Sequence, residues 1–117
     1  MGLASGVGRW EGNGNQRQSF MSRVIITRHP NGEEEAVAGW DEPLNSYFFQ
    51  VFDDKGEAIY DIGANRPNEL MSIPSLRLKA GEYERYLTQR VTTKLKWMRA
   101  LRDQTTVADL SAPQTAA

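Results

Sequence analysis

The stretch that decides the fold is SYFFQVF, residues 46–52, the longest nearly apolar run in this chain of 117 residues. Its aromatic and β-branched residues favour a β-strand. Successive side chains of a strand point to opposite faces of a sheet. One face of this strand therefore takes Tyr47, Phe49 and Val51, and the other takes Phe48, Gln50 and Phe52. Because both faces carry aromatic rings, we expect both of them to be covered.

Three further stretches predict strands that join this one in a sheet. They are RVIITR at residues 23–28, EAVAGWD at 35–41 and EAIYDI at 57–62. Turn sequences separate the strands: residues 29–32, His-Pro-Asn-Gly, contain the Asn-Gly pair of tight hairpins, and residues 53–56 read Asp-Asp-Lys-Gly. Four strands joined by short turns predict an antiparallel meander.

The pattern becomes helical after Gly81. From Glu82 to about Arg102, apolar residues recur at spacings of four and three, which predicts one long helix with a single apolar face. These apolar residues are Leu87, Val91, Leu95, Met98 and Leu101. Residues 63–74 are typical of a loop. Leu76 and Leu78 alternate with the basic residues Arg77 and Lys79, which predicts a short fifth strand or an extended crossover. The predicted fold class is α+β, an antiparallel four-stranded meander packed by one long C-terminal helix.

The two ends of the chain differ from this central part. Residues 1–20 are rich in glycine and lack apolar periodicity, so we interpret them as a disordered, flexible arm or leader that folding does not need. Residues 105–117 are mostly small or polar and are expected to form a flexible tail. Residues 21–104 are predicted to form a single α+β domain, since a chain of this length leaves little room for a second one.

One helix can cover only one face of the predicted sheet. The second face could be covered by the loop at 63–78 together with Trp40, by a second subunit, or by a dedicated binding partner. Exposed aromatic surface forgoes the free energy of burial, and large exposed apolar patches mark interaction sites. Trp40, Phe48 and Phe52 are therefore candidate partner-binding residues.

Charge is segregated along the chain, although the net charge is only −1. Residues 33–69 carry ten acidic side chains against Lys55 and Arg66, a net of −8. Residues 77–102 carry eight basic side chains against Glu82 and Glu84, a net of +6. The basic side chains could pair with the acidic turns of the sheet, or they could meet an acidic partner or the phosphates of a nucleic acid.

The predicted helix concentrates this positive charge. Arg85, Lys96 and Arg99 share its outer face on a helical wheel, which makes them candidate binding residues. Arg90 and Lys94 fall nearer the apolar stripe. The alternative is a solvated face whose long aliphatic stems lie over the edge of the core.

The sequence offers few groups for catalysis or for metal binding. It has no cysteine and a single histidine, His29, which excludes thiol nucleophiles, disulfides and sites that need two imidazoles. His29 stands beside a predicted turn rather than in a cleft, and the acidic residues at 33–35 and 53–54 lack the spacing of a calcium-binding loop. We therefore expect no catalytic residue, metal or cofactor.

These observations favour a small non-enzymatic protein-interaction or regulatory module, which could be a homodimer. The alternative is a nucleic-acid-binding accessory protein that uses the basic helix at 85–102, with aromatic side chains stacking on bases. An enzyme comes third, because it would need a pocket with converging polar groups. The sequence contains no apolar run long enough for a membrane span, and we expect a cytoplasmic protein.

Overall fold

The computed structural model describes residues 21–28 and 34–111. The predicted arm at 1–20, the predicted turn at 29–32 and residues 112–117 of the predicted tail lie outside the described residues. The sheet has the strand order β4-β3-β2-β1-β5. Its strands are β1 Met21–Thr27, β2 Glu35–Asp41, β3 Ser46–Phe52, β4 Ala58–Ile62 and β5 Val107–Asp109.

The antiparallel meander is confirmed for β1 to β4. β2 and β3 have the bounds that the sequence predicts, and they pair along their whole length, with Gly39 opposite Phe48. The turn between them is held by Asp41, whose carboxylate accepts a hydrogen bond of 3.1 Å from the Leu44 amide. Such local turn chemistry pairs strands in sequence order, which is why short-range patterns suffice to predict this part of the fold.

The prediction of a purely antiparallel sheet with four strands is wrong, because β5 pairs parallel with β1. β5 lies in the stretch that we expected to be a flexible tail. Asp103 holds the turn before it by accepting hydrogen bonds from the Thr105 and Thr106 amides. Beyond it, hydrogen bonds from Ser111, together with a weaker contribution from Arg28, hold the pKa of Asp109 below its usual range. Polar contacts of this kind leave no apolar periodicity in the sequence.

The prediction of one long C-terminal helix is also wrong. Helix α1 covers Ile73–Ala80, a 3₁₀ segment covers Gly81–Tyr86, and helix α2 covers Gln89–Ala100. The break before α2 lies at Thr88, whose backbone is extended with ψ of 169°. The Thr88 hydroxyl accepts a hydrogen bond of 3.3 Å from the Val91 amide and so caps the new helix.

Helix α1 replaces the loop or short strand that we expected around Leu76. Ser72 caps its first turn by accepting a hydrogen bond of 3.2 Å from the Ser75 amide. Pro74 lies in that first turn, where a missing amide donor costs nothing. The end of the stretch 63–74, which we interpreted as a loop, is therefore the start of a helix.

Both helices lie on the sheet face of Tyr47, Phe49 and Val51. α1 packs on β3, and α2 packs on β1 and β2. The helices and the segments beside them contribute Leu70, Ile73, Leu76, Ala80, Leu87, Val91, Leu95 and Met98 to this core. No helix in the described part of the chain is long and apolar enough to cross a lipid bilayer.

The opposite face of the sheet is filled around Phe48, which is 2% exposed. Its ring contacts Met21 and Ala64, with Val37 and Leu44 at the margin of the cluster. The ring also lies over Gly39, where a Cβ atom would stand 2.5 Å from Cζ of Phe48. Residues of the same chain therefore cover this aromatic side chain.

The second face of the sheet is covered only in part by the residues that we expected there, the loop at 63–78 together with Trp40. Trp40 belongs to the core on the helix side of the sheet, so it does not cover the second face. Of the segment 63–78, Ala64 packs against Phe48, whereas Leu70, Ile73 and Leu76 join the helix-side core.

Candidate binding surface

Helix α2 has one side in the core and the other in solvent. Its buried side consists of Val91, Thr92, Leu95 and Met98. The opposite side consists of Gln89, Arg90, Thr93, Lys94 and Trp97, which are all exposed and which we call the α2 outer face. Residues three and four positions apart are neighbours on a helix surface, so these side chains form one continuous stripe.

Trp97 is the apolar centre of this face, with 59% of its surface exposed. Among the described residues, its indole ring makes no contact with another ring or with a cation. Trp40 is its opposite: it is fully buried, and its Nε1 donates a hydrogen bond of 2.7 Å to Glu42. Trp40 is thus part of the core, whereas the ring of Trp97 is exposed to solvent.

The cations beside Trp97 are not neutralised by the described part of the protein. Arg90, Lys94 and Lys96 form no ion pair within residues 21–28 and 34–111. Between Gln89 and Arg102 the sequence has no acidic residue at all. As far as the structure describes the chain, the positive charge of the α2 outer face is therefore not compensated.

Arg85, in contrast, is tied to its own protein. Its guanidinium lies 4.8 Å from the ring centre of Tyr86 and 5.5 Å from that of Tyr83, and it pairs with Glu34 at 3.4 Å. Tyr86 donates a hydrogen bond of 2.6 Å to the same carboxylate. Burial, followed by this contact with Glu34, raises the pKa of Tyr86. Arg85 thus attaches the 3₁₀ segment to the start of β2.

Arg99 is used inside the fold as well. Its guanidinium lies 5.5 Å from the ring centre of Trp40 and donates a hydrogen bond to the Met71 carbonyl. Its charge favours the ionised form of Tyr47, but burial outweighs it and raises the pKa of Tyr47. One turn further, Arg102 pairs with Glu42 at 2.6 Å. Arg85 and Arg102 thus pair with acidic residues beside β2, which is one of the two outcomes that the charge pattern allowed, whereas Arg99 stacks on Trp40.

The structure does not bring the six candidate binding residues of the sequence together on one surface. Trp40, Phe48 and Phe52 are 0%, 2% and 7% exposed, so a partner could reach them only if the sheet opened. Arg85 and Arg99 make the internal contacts described above. Lys96 alone is both exposed and without such contacts among the described residues, and it flanks the α2 outer face.

Two residues explain why the helical wheel selected Arg85, Lys96 and Arg99 rather than Arg90 and Lys94 for the outer face of the helix. Thr92 is buried, with its hydroxyl satisfied by the Gln89 carbonyl at 3.2 Å, whereas Leu101 is 66% exposed because α2 has already ended. A helical wheel based on polarity places the polar Thr92 on the exposed side and the apolar Leu101 on the buried side. Correcting them turns the helix so that Arg90, Lys94 and Trp97 point outwards.

The shape and chemistry of this surface do not favour a catalytic site. The described residues that line it all belong to α2, so they form an open face rather than a cleft. Within the described ranges, no group of three or more acidic or histidine side chains could hold a metal ion. Asp53 instead accepts hydrogen bonds from the Lys55 and Glu57 amides and so shapes its own turn. His29 and Glu33 lie outside the described residues.

Comparison with protein-family models, with curated proteins and with solved structures gives no match.

Proposed function

We propose that this protein is a non-enzymatic nucleic-acid-binding domain that holds the phosphate backbone on the α2 outer face. One observation carries the proposal: Arg90 and Lys94 stand beside an exposed tryptophan, and no described acidic group neutralises them. Basic side chains that replace condensed counterions on phosphates supply most of the affinity of non-specific nucleic-acid binding.

The fate of the aromatic strand supports this choice over the protein-interaction module. That hypothesis rested on rings that one helix could not cover, but Phe48 and Phe49 are both buried by the chain itself. In the basic helix, by contrast, Arg90, Lys94 and Lys96 still have no ion pair among the described residues after folding.

The distribution of charge over the fold fits a local site better than a general coating. α2 packs over β1 and β2, whereas Asp54, Glu57 and Asp61 belong to the β3–β4 hairpin at the far edge of the sheet. A polyanion is therefore attracted to one side of the molecule and repelled from the other. This explains how a chain of net charge −1 can still have a surface for phosphate.

The test is fluorescence anisotropy with a labelled oligothymidylate and the full chain. The double reversal Arg90→Glu/Lys94→Glu is expected to weaken binding at least about 10-fold, because it replaces two phosphate contacts with repulsion. The double reversal Lys55→Glu/Arg66→Glu changes the net charge by the same amount at exposed positions outside α2, and it should leave binding within about twofold.

Salt provides the second measurement. Two or three phosphate contacts on a single strand predict that log Kd rises with log salt concentration with a slope of about 1.5 to 2. Equal losses in the two double variants would overturn the proposal, as would a wild-type protein that shows no binding. Tighter binding of polyglutamate than of the oligonucleotide, at equal charge, would favour an acidic protein partner and would also overturn it.

A further inference from the structure

Resting on the proposed function, we infer that the ligand of the α2 outer face is single-stranded and that Trp97 is a platform on which one of its bases stacks. Exposure of the Trp97 indole ring to water is energetically costly. An indole ring is among the largest apolar surfaces a side chain can bury, and 59% of this one lies in solvent. Its neighbours towards the start of α2 are Arg90, Thr93 and Lys94, which are exposed and polar, whereas Leu101, four residues further on, is exposed and apolar.

The spacing of the side chains on the α2 outer face fits a single strand of nucleic acid, in which both bases and phosphates are accessible. Arg90, Lys94 and Trp97 occupy one stripe, and seven residues of helix place the first and last of them about 10 Å apart along the axis. A nucleotide that stacks its base on the indole can therefore keep its neighbouring phosphates within reach of both cations. Stacking of this kind tolerates any sequence, because every base has a π-face.

A nucleic-acid duplex does not offer a free base to Trp97 together with phosphates to Arg90 and Lys94. Its bases are stacked on one another inside the helix, so Trp97 would face the sugar–phosphate surface or a groove instead of a free base. The face should therefore bind single strands more tightly than duplexes of equal length.

The ligands of the test separate stacking from charge. The full chain is titrated with an oligothymidylate, with an abasic phosphodiester strand of the same length, and with a duplex. Wild-type protein is expected to bind the oligothymidylate about 5- to 100-fold more tightly than the abasic strand, the range that loss of one stacked base allows.

The variants Trp97→Leu and Trp97→Phe assign this difference to the ring. Trp97→Leu should bind the oligothymidylate no more tightly than the abasic strand, with an unchanged salt slope, and Trp97→Phe should retain most of the difference. Binding should quench tryptophan fluorescence in the wild type and not in Trp97→Leu, although Trp10 and Trp40 remain. Equal melting temperatures of the three proteins would confirm that the exposed position does not affect folding.

The outcomes distinguish this inference from the proposed function. Binding that depends on Arg90 and Lys94 but is equal for abasic, single-stranded and duplex ligands would overturn the stacking role and leave phosphate binding intact. An unchanged affinity of Trp97→Leu for the oligothymidylate would do the same. Absence of charge-dependent binding to all three ligands would overturn both.

Discussion

At position 39 the sheet has no room for a side chain. A Cβ atom there would stand 2.0 Å from the Ser22 carbonyl oxygen and 2.5 Å from Cζ of Phe48. The backbone of Gly39 is not in the left-handed region, so space and not conformation requires the glycine. Phe48 uses this space to lie flat on the sheet, and that is how the chain covers the second face without a second helix.

We therefore expect Gly39→Ala to lower the free energy of unfolding by about 3 kcal/mol, the upper end of the range for overpacking, because one of the clashing atoms is backbone. Urea denaturation followed by circular dichroism measures it. Gly81→Ala is the control, since no atom lies within 4 Å of its Cβ position and only its positive φ of 58° opposes the change. Gly81→Ala therefore measures the cost of conformation without a clash, whereas a loss below about 1 kcal/mol in Gly39→Ala would show that packing against Phe48 is not the reason for the glycine.

Arg102 occupies a position that helices usually give to glycine. Its φ is 52°, and the bonds from the Arg102 amide to the Arg99 carbonyl and from the Asp103 amide to the Met98 carbonyl close α2 as a Schellman motif. A left-handed conformation costs a non-glycine residue about 1–2 kcal/mol. The pair with Glu42, whose side chain is only 14% exposed, is the contact that the arginine gains there.

This predicts an order of stability for two variants that both lose the pair. Arg102→Gly removes the backbone strain and Arg102→Ala keeps it, so the glycine variant should be more stable by about 1 kcal/mol. Thermal unfolding of both proteins under one buffer condition gives the comparison. Equal melting temperatures would show that the strain at this cap is not stored in the native state.

At the scale of the elements, Thr88 decides where α2 begins. Its hydroxyl satisfies the Val91 amide, which no carbonyl of the preceding 3₁₀ segment can reach. Thr88→Ala should therefore lower the free energy of unfolding by about 1 kcal/mol, the usual cost of a lost N-cap. Thr93→Ala is matched in chemistry but lies on the exposed side of the helix interior, and alanine should be neutral or slightly stabilising there.

Both values come from urea denaturation at one temperature. A loss in Thr93→Ala as large as that in Thr88→Ala would show that helix propensity, and not the cap, governs α2.

The sequence predicted the elements whose signals are local. β2 and β3 follow from alternation over seven residues each and from the turn between them. The helix break at Thr88 could not be seen because Leu87 continues the same apolar spacing across it, and a cap is one hydrogen bond rather than a pattern. β5 was missed because parallel pairing with β1 joins residues more than 80 positions apart, and its exposed Val107 has no periodic neighbours.

The sequence predicted that the candidate surface is positively charged, but it did not predict which side chains form that surface. The run of basic residues without acidic ones is visible in the sequence, and it lies in the segment that forms α2. Which of them stay available depends on Glu34, Glu42 and Trp40, which lie in β2 or beside it and engage Arg85, Arg102 and Arg99. Only folding brings those partners to the helix.

On the scale of the whole molecule, the aromatic rings on the two faces of the sheet are covered in different ways. The face of Phe49 is covered by α1 and α2, which are separate elements with their own caps. The face of Phe48 is covered by the first residue of β1, by a loop alanine and by a ring lying on a glycine. The double-sided aromatic strand is therefore compatible with a folded single chain, and its rings need no second subunit.

The last prediction separates this arrangement from a dimer that hides Phe48 between subunits. An unpaired buried carboxylate costs several kcal/mol, which is comparable with the whole stability of a domain of 5–15 kcal/mol. Because Phe48 and Phe49 are 2% and 0% exposed within one chain, Phe48→Asp and Phe49→Asp should both abolish the cooperative unfolding transition. Circular dichroism and sedimentation velocity measure the two proteins side by side, with Phe48→Leu and Phe49→Leu as folded controls of reduced stability. If a second subunit covered Phe48, Phe48→Asp would instead sediment as a folded monomer and only Phe49→Asp would unfold. That result would return the second sheet face to the candidate binding surfaces, whereas loss of folding in both assigns Phe48 to the core and leaves the α2 outer face as the candidate binding surface.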